Sequence, residues 1–302
     1  MKLLHHNDYF LPLPPGHPFP MAKYPLIHRY LLERGVATVA SITAPAELDL
    51  IDAARVHDSG YLHKLTKGGL SAAEERRLGV PWSARLLRRS RLASQGTLDA
   101  ARLALQLGMA GNLAGGTHHA FADRGEGFCV LNDVAIAIRA LQAEGRIDRA
   151  LVIDLDVHQG NGTAAIFEAD PQVFTFSMHG ERNYPALKMR SSLDVGLPDG
   201  TTDAGYLAAL SSHLPGVIAS ARADLAFYLA GVDVAAGDRY GRFALSDEGV
   251  RLRERYVIEQ VRGANLPVVI LLAGGYAASA ERTAELHSLV FEECIRYERA
   301  GE

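Results

Sequence analysis

Hydrophobic and polar positions follow two different patterns along this chain, and each pattern predicts one kind of element. Four runs are continuously apolar, which is typical of strands that are covered on both faces of a sheet. These runs are 150–157, 173–177, 224–232 and 267–273. Segments with apolar residues at helical spacing predict the helices. These segments are 24–33, 45–55, 83–107, 132–144, 163–168, 203–220, 246–263 and 278–299.

Strands and helices alternate in this way from residue 150 to the end of the chain. Such alternation indicates a parallel sheet with helices on both faces, that is, an α/β fold. Asp203 and Ser246 stand at the starts of two predicted helices, where we expect their side chains to act as N-caps. No linker or low-complexity tract interrupts the pattern, so we expect a single domain over residues 1–302.

Composition and charge narrow the classes of function. The net charge is −4 and no basic block occurs, which argues against a positive face that binds nucleic acid. Cys129 and Cys294 are far apart and form no disulfide framework, which favours a reducing compartment. The start of the chain lacks the apolar core of a signal peptide, and the apolar run 266–278 is too short to span a bilayer. We therefore expect a cytoplasmic protein that does not insert into membranes.

Two of the predicted strands are followed by metal-ligating residue types. Asp156 and His158 lie at the end of the first apolar run, and Asp233 ends the third. In open parallel sheets, ligands bind at the carboxyl ends of the strands. Two carboxylates and one imidazole hold a catalytic divalent metal while leaving room for water, and both zinc and ferrous iron suit such ligands. The sequence therefore predicts one metal site from these three residues.

Further polar residues stand where the same edge of the sheet is expected. His118 and His119 follow a pair of glycines and precede the glycine-rich segment 123–128, whose backbone we expect to approach a ligand. Tyr276 follows another glycine pair, and a phenol beside a metal can donate a hydrogen bond to an oxyanion. His179 follows the second apolar run, and we expect it at the same edge. Together these residues indicate a hydrolase that attacks a carbonyl.

A proline-rich loop, 11–20, precedes the first predicted helix. Prolines at this density prevent a regular element and stiffen the backbone. Two interpretations are equally compatible with the residues themselves. The loop is either a surface connection or part of the rim of a site.

The combined motifs resemble the zinc-dependent histone deacetylase superfamily, and the resemblance extends from 16–21 through Tyr276. The run 154–162 is most similar to the class IV-like branch, which includes bacterial members. The resemblance implies a single arginase-like α/β domain with a central, mainly parallel eight-stranded sheet flanked by helices. It also implies a zinc-dependent deacetylase, in which zinc-bound water attacks an acyl group, acetyl in the first place, on the ε-amine of lysine.

The resemblance also assigns catalytic roles to individual residues. The three predicted metal ligands match the zinc ligands of the family. His119 matches the general base and acid, and His118 matches its electrostatic partner, which Asp154 orients. Tyr276 matches the phenol that polarises the amide carbonyl. Asn161 stands where many relatives have an Asp that pairs with the second histidine, so the imidazole is oriented here without an added negative charge.

The substrate channel is assigned in the same way. Phe128, with Gly127 before it, matches one wall of the acyl-lysine channel, and Tyr184 approximately matches the opposite wall. Ser59 stands where some relatives use an Asp to hold the substrate backbone, which argues against the grip used for histone tails. Tyr240 lies near the position of an acidic gatekeeper in acetylpolyamine-selective relatives, and its lack of charge argues against a polyamine substrate.

Structural monovalent cations, often potassium, also belong to the family. The positions matching the site beside the zinc are Asp154, Asp156, His158, Ser177 and Met178. The positions matching the distal site are Phe167, Asp170, Val173 and Tyr206. In the family, some of the ligands of these two cation sites are backbone carbonyl oxygens.

Alternatives remain for the substrate and for the class of function. The substrate is an acylated lysine of a protein or a related small acylated amine, and a long-chain or hydroxyacyl-lysine deacylase would use the same fold. A catalytically inactive module that binds acyl-lysine is the non-enzyme alternative. The complete set of metal, histidine and tyrosine positions argues against it. Nothing in the sequence indicates an oligomeric state.

Overall fold

Eight strands form one parallel sheet in the computed structural model, which describes residues 1–301. The strands are β1 (Lys2–Leu4), β2 (Ile42–Thr43), β3 (Met109–Asn112), β4 (Ala150–Asp154), β5 (Val173–Gly180), β6 (Leu193–Leu197), β7 (Leu225–Leu229) and β8 (Val268–Leu271). Their order across the sheet is β2-β1-β3-β8-β7-β4-β5-β6. Each neighbouring pair is parallel, which confirms the predicted eight-stranded α/β architecture.

Helices lie in every connection between consecutive strands except the one from β5 to β6, where residues 181–192 form a loop, and such crossover connections are what parallel pairing requires. They are α1 (Lys23–Glu33), α2 (Leu50–Ala53), α3 (Ser59–Lys67), α4 (Ala72–Leu78), α5 (Ala84–Leu107), α6 (Asp133–Ala143), α7 (Asn161–Phe167), α8 (Asp203–Ala221), α9 (Asp247–Gly263) and α10 (Ala280–Ala300). Two short 3₁₀ turns lie at Asn7–Tyr9 and Val39–Ser41. None of the helices within 1–301 combines the length and the apolar character that crossing a membrane would require.

The predicted elements agree with the structure best where the apolar runs are long. All four predicted strands are present, but β4 ends at Asp154 and β7 at Leu229, so the polar residues that follow them lie on loops. The short strands β1, β2, β3 and β6 were not predicted, nor were α3 and α4. Of the helix expected over 45–55, only α2 is present, since the chain on either side of Leu50–Ala53 is not α-helical.

The two predicted helix caps have different outcomes. The Ser246 side chain accepts a hydrogen bond from the Gly249 N–H and caps α9 as predicted. The prediction for Asp203 is wrong, since Thr202 occupies the N-cap position and Asp203 is the first helical residue. Its carboxylate instead accepts a 2.8 Å hydrogen bond from the Ser246 N–H, and so joins the starts of α8 and α9.

The central strands make the rigid part of the fold. Every residue of β4, β7 and β8 is buried, as expected for strands that are covered on both faces. Fully burying a Val, Leu or Ile side chain contributes about 1.5–3 kcal/mol. The carboxyl edge of these strands is therefore a firm support for the residues that follow them.

Candidate active site

Three potential metal ligands converge at the carboxyl edge of the sheet. Asp156 and His158 follow β4, and Asp233 follows the neighbouring strand β7. One donor atom from each residue lies within 4.8 Å of the others, and all three side chains are buried. His158 Nδ1 is 3.0 Å from Asp156 Oδ1 and 3.2 Å from Asp233 Oδ2. The structure thus brings together the ligand set predicted from the sequence.

The electrostatics of this cluster fit a cation. Burial, and then the charge of Asp156, raise the pKa of Asp233 to about 7. Burial opposes a charge on His158, but its hydrogen bond to Asp156 and the nearby carboxylate of Asp233 outweigh burial and raise the pKa of His158 to about 10. Asp233 Oδ2 is buried and has no hydrogen-bond partner among residues 1–301. Two buried carboxylates are costly without positive charge between them, and a divalent metal would supply it.

Backbone contacts hold the cluster in place. The Gly274 N–H donates a 2.6 Å hydrogen bond to Asp156 Oδ2, and a Cβ at this position would overlap the carboxylates of Asp156 and Asp233. Only glycine fits such a close approach. Arg253, fully buried on α9, donates to the carbonyls of Leu155 at 3.1 Å and Gly231 at 2.7 Å. Arg253 therefore ties together the two loops that carry the ligands, a role that no sequence signal indicated.

The two histidines lie side by side with defined partners. His118 Nδ1 is 2.7 Å from Asp154 Oδ2, and His119 Nδ1 is 2.7 Å from Asn161 Oδ1. Both oxygens act as acceptors, so each Nδ1 carries a hydrogen and donates it. The two Nε2 atoms are 3.1 Å apart. At that distance one proton fits between the two Nε2 atoms, whereas a proton on each of them would bring two hydrogens into contact.

The surroundings determine which histidine carries that proton. Burial opposes a charge on His118, but the carboxylates of Asp154 and Asp156 outweigh it and raise its pKa to about 9. Burial, and then the charge of His118, hold the pKa of His119 well below 6.5. His118 is therefore the imidazolium of the pair, and His119 is the neutral member.

Glu126 supports this arrangement from behind. Its Oε1 accepts a 3.0 Å hydrogen bond from Asn161 Nδ2 and a 2.7 Å hydrogen bond from the Tyr184 hydroxyl. Because a carboxylate only accepts, the Asn161 amide must turn its carbonyl oxygen toward His119. The sequence had singled out the glycine-rich loop around Glu126 for its glycines, but it assigned no role to the carboxylate.

Two connected cavities lead to the cluster. The inner cavity has a volume of about 40 Å³ and the outer cavity about 490 Å³. We call the residues that line both cavities the neck: His119, Gly127, Phe128, His158 and Tyr276. We call the remaining residues of the outer cavity the mouth: Arg76, Arg77, Gly79, Asn183, Tyr184, Arg239, Tyr240 and Arg242. The four residues predicted to line the channel all lie in the neck or the mouth.

Aromatic residues shape the neck. Phe128 has a positive φ of 68°, and its N–H donates a 2.7 Å hydrogen bond to the Leu78 carbonyl. Phe19, from the proline-rich loop, packs against Phe128 and Tyr276 with ring centroids 5.2 Å and 6.0 Å apart. Of the two interpretations of that loop, the structure supports the one that places it at the site. Burial, and then the nearby carboxylates, raise the pKa of Tyr276 well above 10, so its hydroxyl stays protonated.

Other residues depart from the sequence analysis. His179 lines neither cavity, because β5 continues to Gly180 and the ring bonds to Ser177 Oγ at 2.9 Å. It does lie near the carboxyl end of β5, at the predicted edge of the sheet, but outside the cavities, and the unpredicted strand β3 leads to the histidine pair. Ser59 begins α3 and also lines neither cavity. Buried Lys23, which the sequence did not single out, donates a 2.9 Å hydrogen bond to the Ala273 carbonyl beside the tyrosine loop.

Comparisons with known proteins agree with this geometry. The sequence matches the family described as the histone deacetylase domain over residues 17–292. An uncharacterized protein of Picosynechococcus sp. is 46% identical over 288 residues, which cover 95% of this chain and 96% of the relative. Histone deacetylase 2 of Arabidopsis thaliana is 32% identical over 294 residues, which cover 93% and 76%. The crystal structure of the HDA15 HD domain shares the fold with a TM-score of 0.81, at 22% identity over 99% of this chain and 92% of that one.

Proposed function

The chain belongs to the histone deacetylase domain family, and we propose that it removes an acyl group, acetyl in the first place, from the ε-amine of lysine. Family membership supports a deacetylase, a hydrolase of amide bonds. One observation carries the proposal to this chain: the potential metal ligands, the histidine pair and Tyr276 meet at a single neck or directly below it. We further propose that residues 1–302 form one catalytic domain of the class IV-like branch.

We assign a divalent metal to Asp156, His158 and Asp233, with zinc as the first choice and ferrous iron as the alternative. Bound there, such a metal would act as a Lewis acid on the carbonyl and lower the pKa of water toward about 7. Two observations support this assignment. Asp233 Oδ2 has no hydrogen-bond partner within residues 1–301, and burial with the nearby charge of Asp156 raises the pKa of Asp233, which a bound cation would oppose.

The histidine pair supplies proton transfer in the proposed mechanism. His119 lines the neck, and because its Nδ1 donates to Asn161, Nε2 is its basic nitrogen. To take a proton from water, this Nε2 must exchange its 3.1 Å contact with His118 Nε2 for a contact with the attacking water. We assign His119 to accept the proton of the attacking water and to return it to the leaving amine. His118, held as an imidazolium by Asp154, stabilises the negative charge that develops beside it.

Tyr276 completes the set. Its hydroxyl remains protonated because burial and nearby carboxylates disfavour the phenolate. A protonated phenol at the neck can donate to the carbonyl oxygen as that oxygen gains charge, and such donors act most strongly in a site shielded from water. Phe128, Gly127, Tyr184 and Tyr240 would contact the lysine stem and the segment around it.

We also propose the two structural potassium sites that the family resemblance implies. Asp154 and Ser177 are paired in register on β4 and β5, which brings the first set of positions together beside the metal ligands. Phe167 ends α7, Val173 begins β5, and Asp170 lies on the tight connection between them, where the Asp170 N–H donates to the Phe167 carbonyl. The carbonyls of such a turn are suitable ligands for a monovalent cation.

The inner cavity favours a short acyl group. A volume of about 40 Å³ exceeds the roughly 10–15 Å³ that one water requires, but it leaves no room for a long chain. A long-chain deacylase is therefore the weaker alternative. The inactive binding module is weaker still, because a base and a phenol line the neck directly above the cluster of potential metal ligands.

Metal removal tests the proposal directly. Purified protein is treated with a strong chelator, dialysed, and assayed on an acetyl-lysine peptide before and after zinc, ferrous iron or magnesium is added. We expect activity to disappear with the chelator and return with zinc or iron but not with magnesium, which prefers oxygen ligands. Full turnover by rigorously metal-free protein would contradict the mechanism. Metal-loaded protein that binds but never hydrolyses acetyl-, lactyl- or myristoyl-lysine peptides would favour the binding module.

A further inference from the structure

The mouth is lined by four exposed arginines and by no acidic residue. Arg76 and Arg77 lie in the last turn of α4, and Arg239 and Arg242 lie on the connection between β7 and α9. No Asp or Glu is among the residues that line the outer cavity. This local excess of positive charge is opposite to the net charge of the whole chain, which is −4.

The guanidinium charges at the mouth are largely unpaired. Arg76, Arg77 and Arg239 form no ion pair with any residue between 1 and 301, and the α4 acid Glu74 is engaged with Lys64 at 2.7 Å. Arg242 has one partner, Asp199, at 3.4 Å, and both side chains are exposed. Exposed pairs of this kind contribute little, so the pairing leaves most of the positive field at the mouth.

The nearby acids are occupied by other contacts. The Asp238 carboxylate accepts hydrogen bonds from the backbone N–H groups of Tyr240 and Gly241 at 2.8 Å and of Tyr276 at 2.6 Å. The Glu126 carboxylate accepts from Asn161 and from the Tyr184 hydroxyl. Both acids therefore serve to hold loops and do not line the mouth.

Two of the arginines, Arg77 and Arg239, are bonded through their backbones to residues of the neck. The Arg77 carbonyl accepts a 3.3 Å hydrogen bond from the Gly127 N–H, and the Arg239 N–H donates a 3.1 Å hydrogen bond to the Tyr276 carbonyl. The Arg239 guanidinium also lies 5.6 Å from the centre of the Tyr240 ring. Their backbones are therefore fixed to residues that any acyl-lysine must pass.

We propose that the substrate of this site is an acyl-lysine in an acidic segment of a protein, and that basic segments are disfavoured. This inference rests on the proposed function, since it concerns what surrounds the lysine in the same pocket. Four guanidiniums attract carboxylates that flank the acyl-lysine and repel lysine and arginine at those positions. The acyl-lysine itself enters uncharged, so the arginines do not oppose the entry of its side chain.

Binding of matched peptides tests the proposal without requiring turnover. Fluorescein-labelled peptides carry one acetyl-lysine flanked by glutamates, by glutamines or by lysines, and their Kd values are measured by anisotropy with the metal-loaded protein. In low salt we expect the acidic peptide to bind about tenfold more tightly than the basic one, with the neutral peptide between them. The difference should shrink in high salt, because exposed charges are screened.

Paired substitutions locate the effect. Arg76→Gln with Arg77→Gln, and Arg239→Gln with Arg242→Gln, should each reduce the ratio of basic to acidic Kd, and the four together should bring it near one. Arg146→Gln is the matched control: Arg146 is exposed, forms no ion pair within 1–301, and precedes β4 at the opposite edge of the sheet. The control should keep the wild-type ratio.

The outcomes separate this proposal from the proposed function. Equal binding of acidic and basic peptides, or a preference that survives the four substitutions, would overturn the acidic-substrate proposal. Hydrolysis of the same peptides is measured separately. An acid preference that depends on the four arginines, without hydrolysis of any peptide, would support the charged mouth and reject the deacetylase.

Discussion

The cluster below the neck and the mouth above it have opposite charge and are built from different parts of the chain. The cluster residues Asp156 and Asp233 lie two and four residues beyond the ends of the central strands β4 and β7, and both side chains are buried. The mouth arginines lie on a helix end and on a loop, and they are exposed. Chemistry requires a geometry that rigid elements maintain, whereas a preference for charged partners requires only charge at roughly the right place.

The strand order explains how the cluster is assembled. β3, β8, β7 and β4 are consecutive across the sheet. The loops that follow them carry, in the same order, the histidine pair, Tyr276, Asp233 and the pair Asp156 and His158. The mouth has no comparable order, since its arginines come from segments far apart in sequence. Substitutions in the cluster should therefore affect catalysis, and substitutions in the mouth should affect selectivity.

Asp233→Asn should give the largest effect, because it removes one charge and one ligand from the cluster. We expect the metal content to fall and kcat/KM to drop by about 10³-fold or more, since the metal accounts for several kcal/mol of the barrier. Metal per chain and kcat/KM on an acetyl-lysine peptide are measured together. Asp148→Asn, an exposed residue at the other edge of the sheet, is the isosteric control. Unchanged metal content with full activity would remove Asp233 from the ligand set.

Tyr276→Phe should give the second largest effect, at a residue of the neck between the cluster and the mouth. We expect kcat to fall by about 10²–10³-fold, with a smaller change in KM, because the hydroxyl acts mainly when charge develops on the oxygen. Metal content should stay at the wild-type level, because Tyr276 is not a predicted ligand. Tyr240→Phe removes a hydroxyl from the neighbouring ring, 5.0 Å away at the mouth, and should cost much less. Similar losses for the two variants would assign Tyr276 a structural role.

Asn161→Asp changes the charge beside His119 and gives the smallest effect, a shift in pH dependence. An anionic partner favours the imidazolium, so the pKa of His119 rises from its low value. The base must be neutral, so the acidic limb of kcat/KM should move to higher pH by about one unit. The profile is measured with metal content determined at each pH.

The structure adds a condition to this experiment. In Asn161→Asp the second carboxylate oxygen would face Glu126 Oε1, where Asn161 Nδ2 now donates at 3.0 Å. The two carboxylates would repel each other and disturb the pair. Asn161→Asp combined with Glu126→Gln restores a donor at that contact and is the variant in which the shift should be clear. An unchanged or lowered acidic limb in the double variant, at equal metal occupancy, would argue against His119 as the base.

Several features of the fold and the site could be predicted from local sequence. Long apolar runs identified the central strands, because burial on both faces requires continuous apolar residues. Asp156, His158 and Asp233 could be grouped without knowing the strand order, because all parallel strands end at one edge of the sheet. The same argument placed His179 at this edge as well, but it did not show that the His179 ring contacts Ser177 and lines neither cavity. Short strands such as β1 carry too few residues to give a pattern.

The residue types at the strand ends, and with them the chemistry of the cluster, were determined by the sequence alone. Only the tertiary structure decided which distant groups support or surround that cluster. Arg253 belongs to a helix with several charged residues, and packing alone determines which of them is buried against the strand ends. Glu126 and Asn161 are hydrogen-bonded, and Arg77 and Arg239 line the same mouth, although both pairs come from segments far apart in sequence. The local pattern of apolar residues shows which face of a segment is buried. Which segments become neighbours depends on the packing of the whole chain.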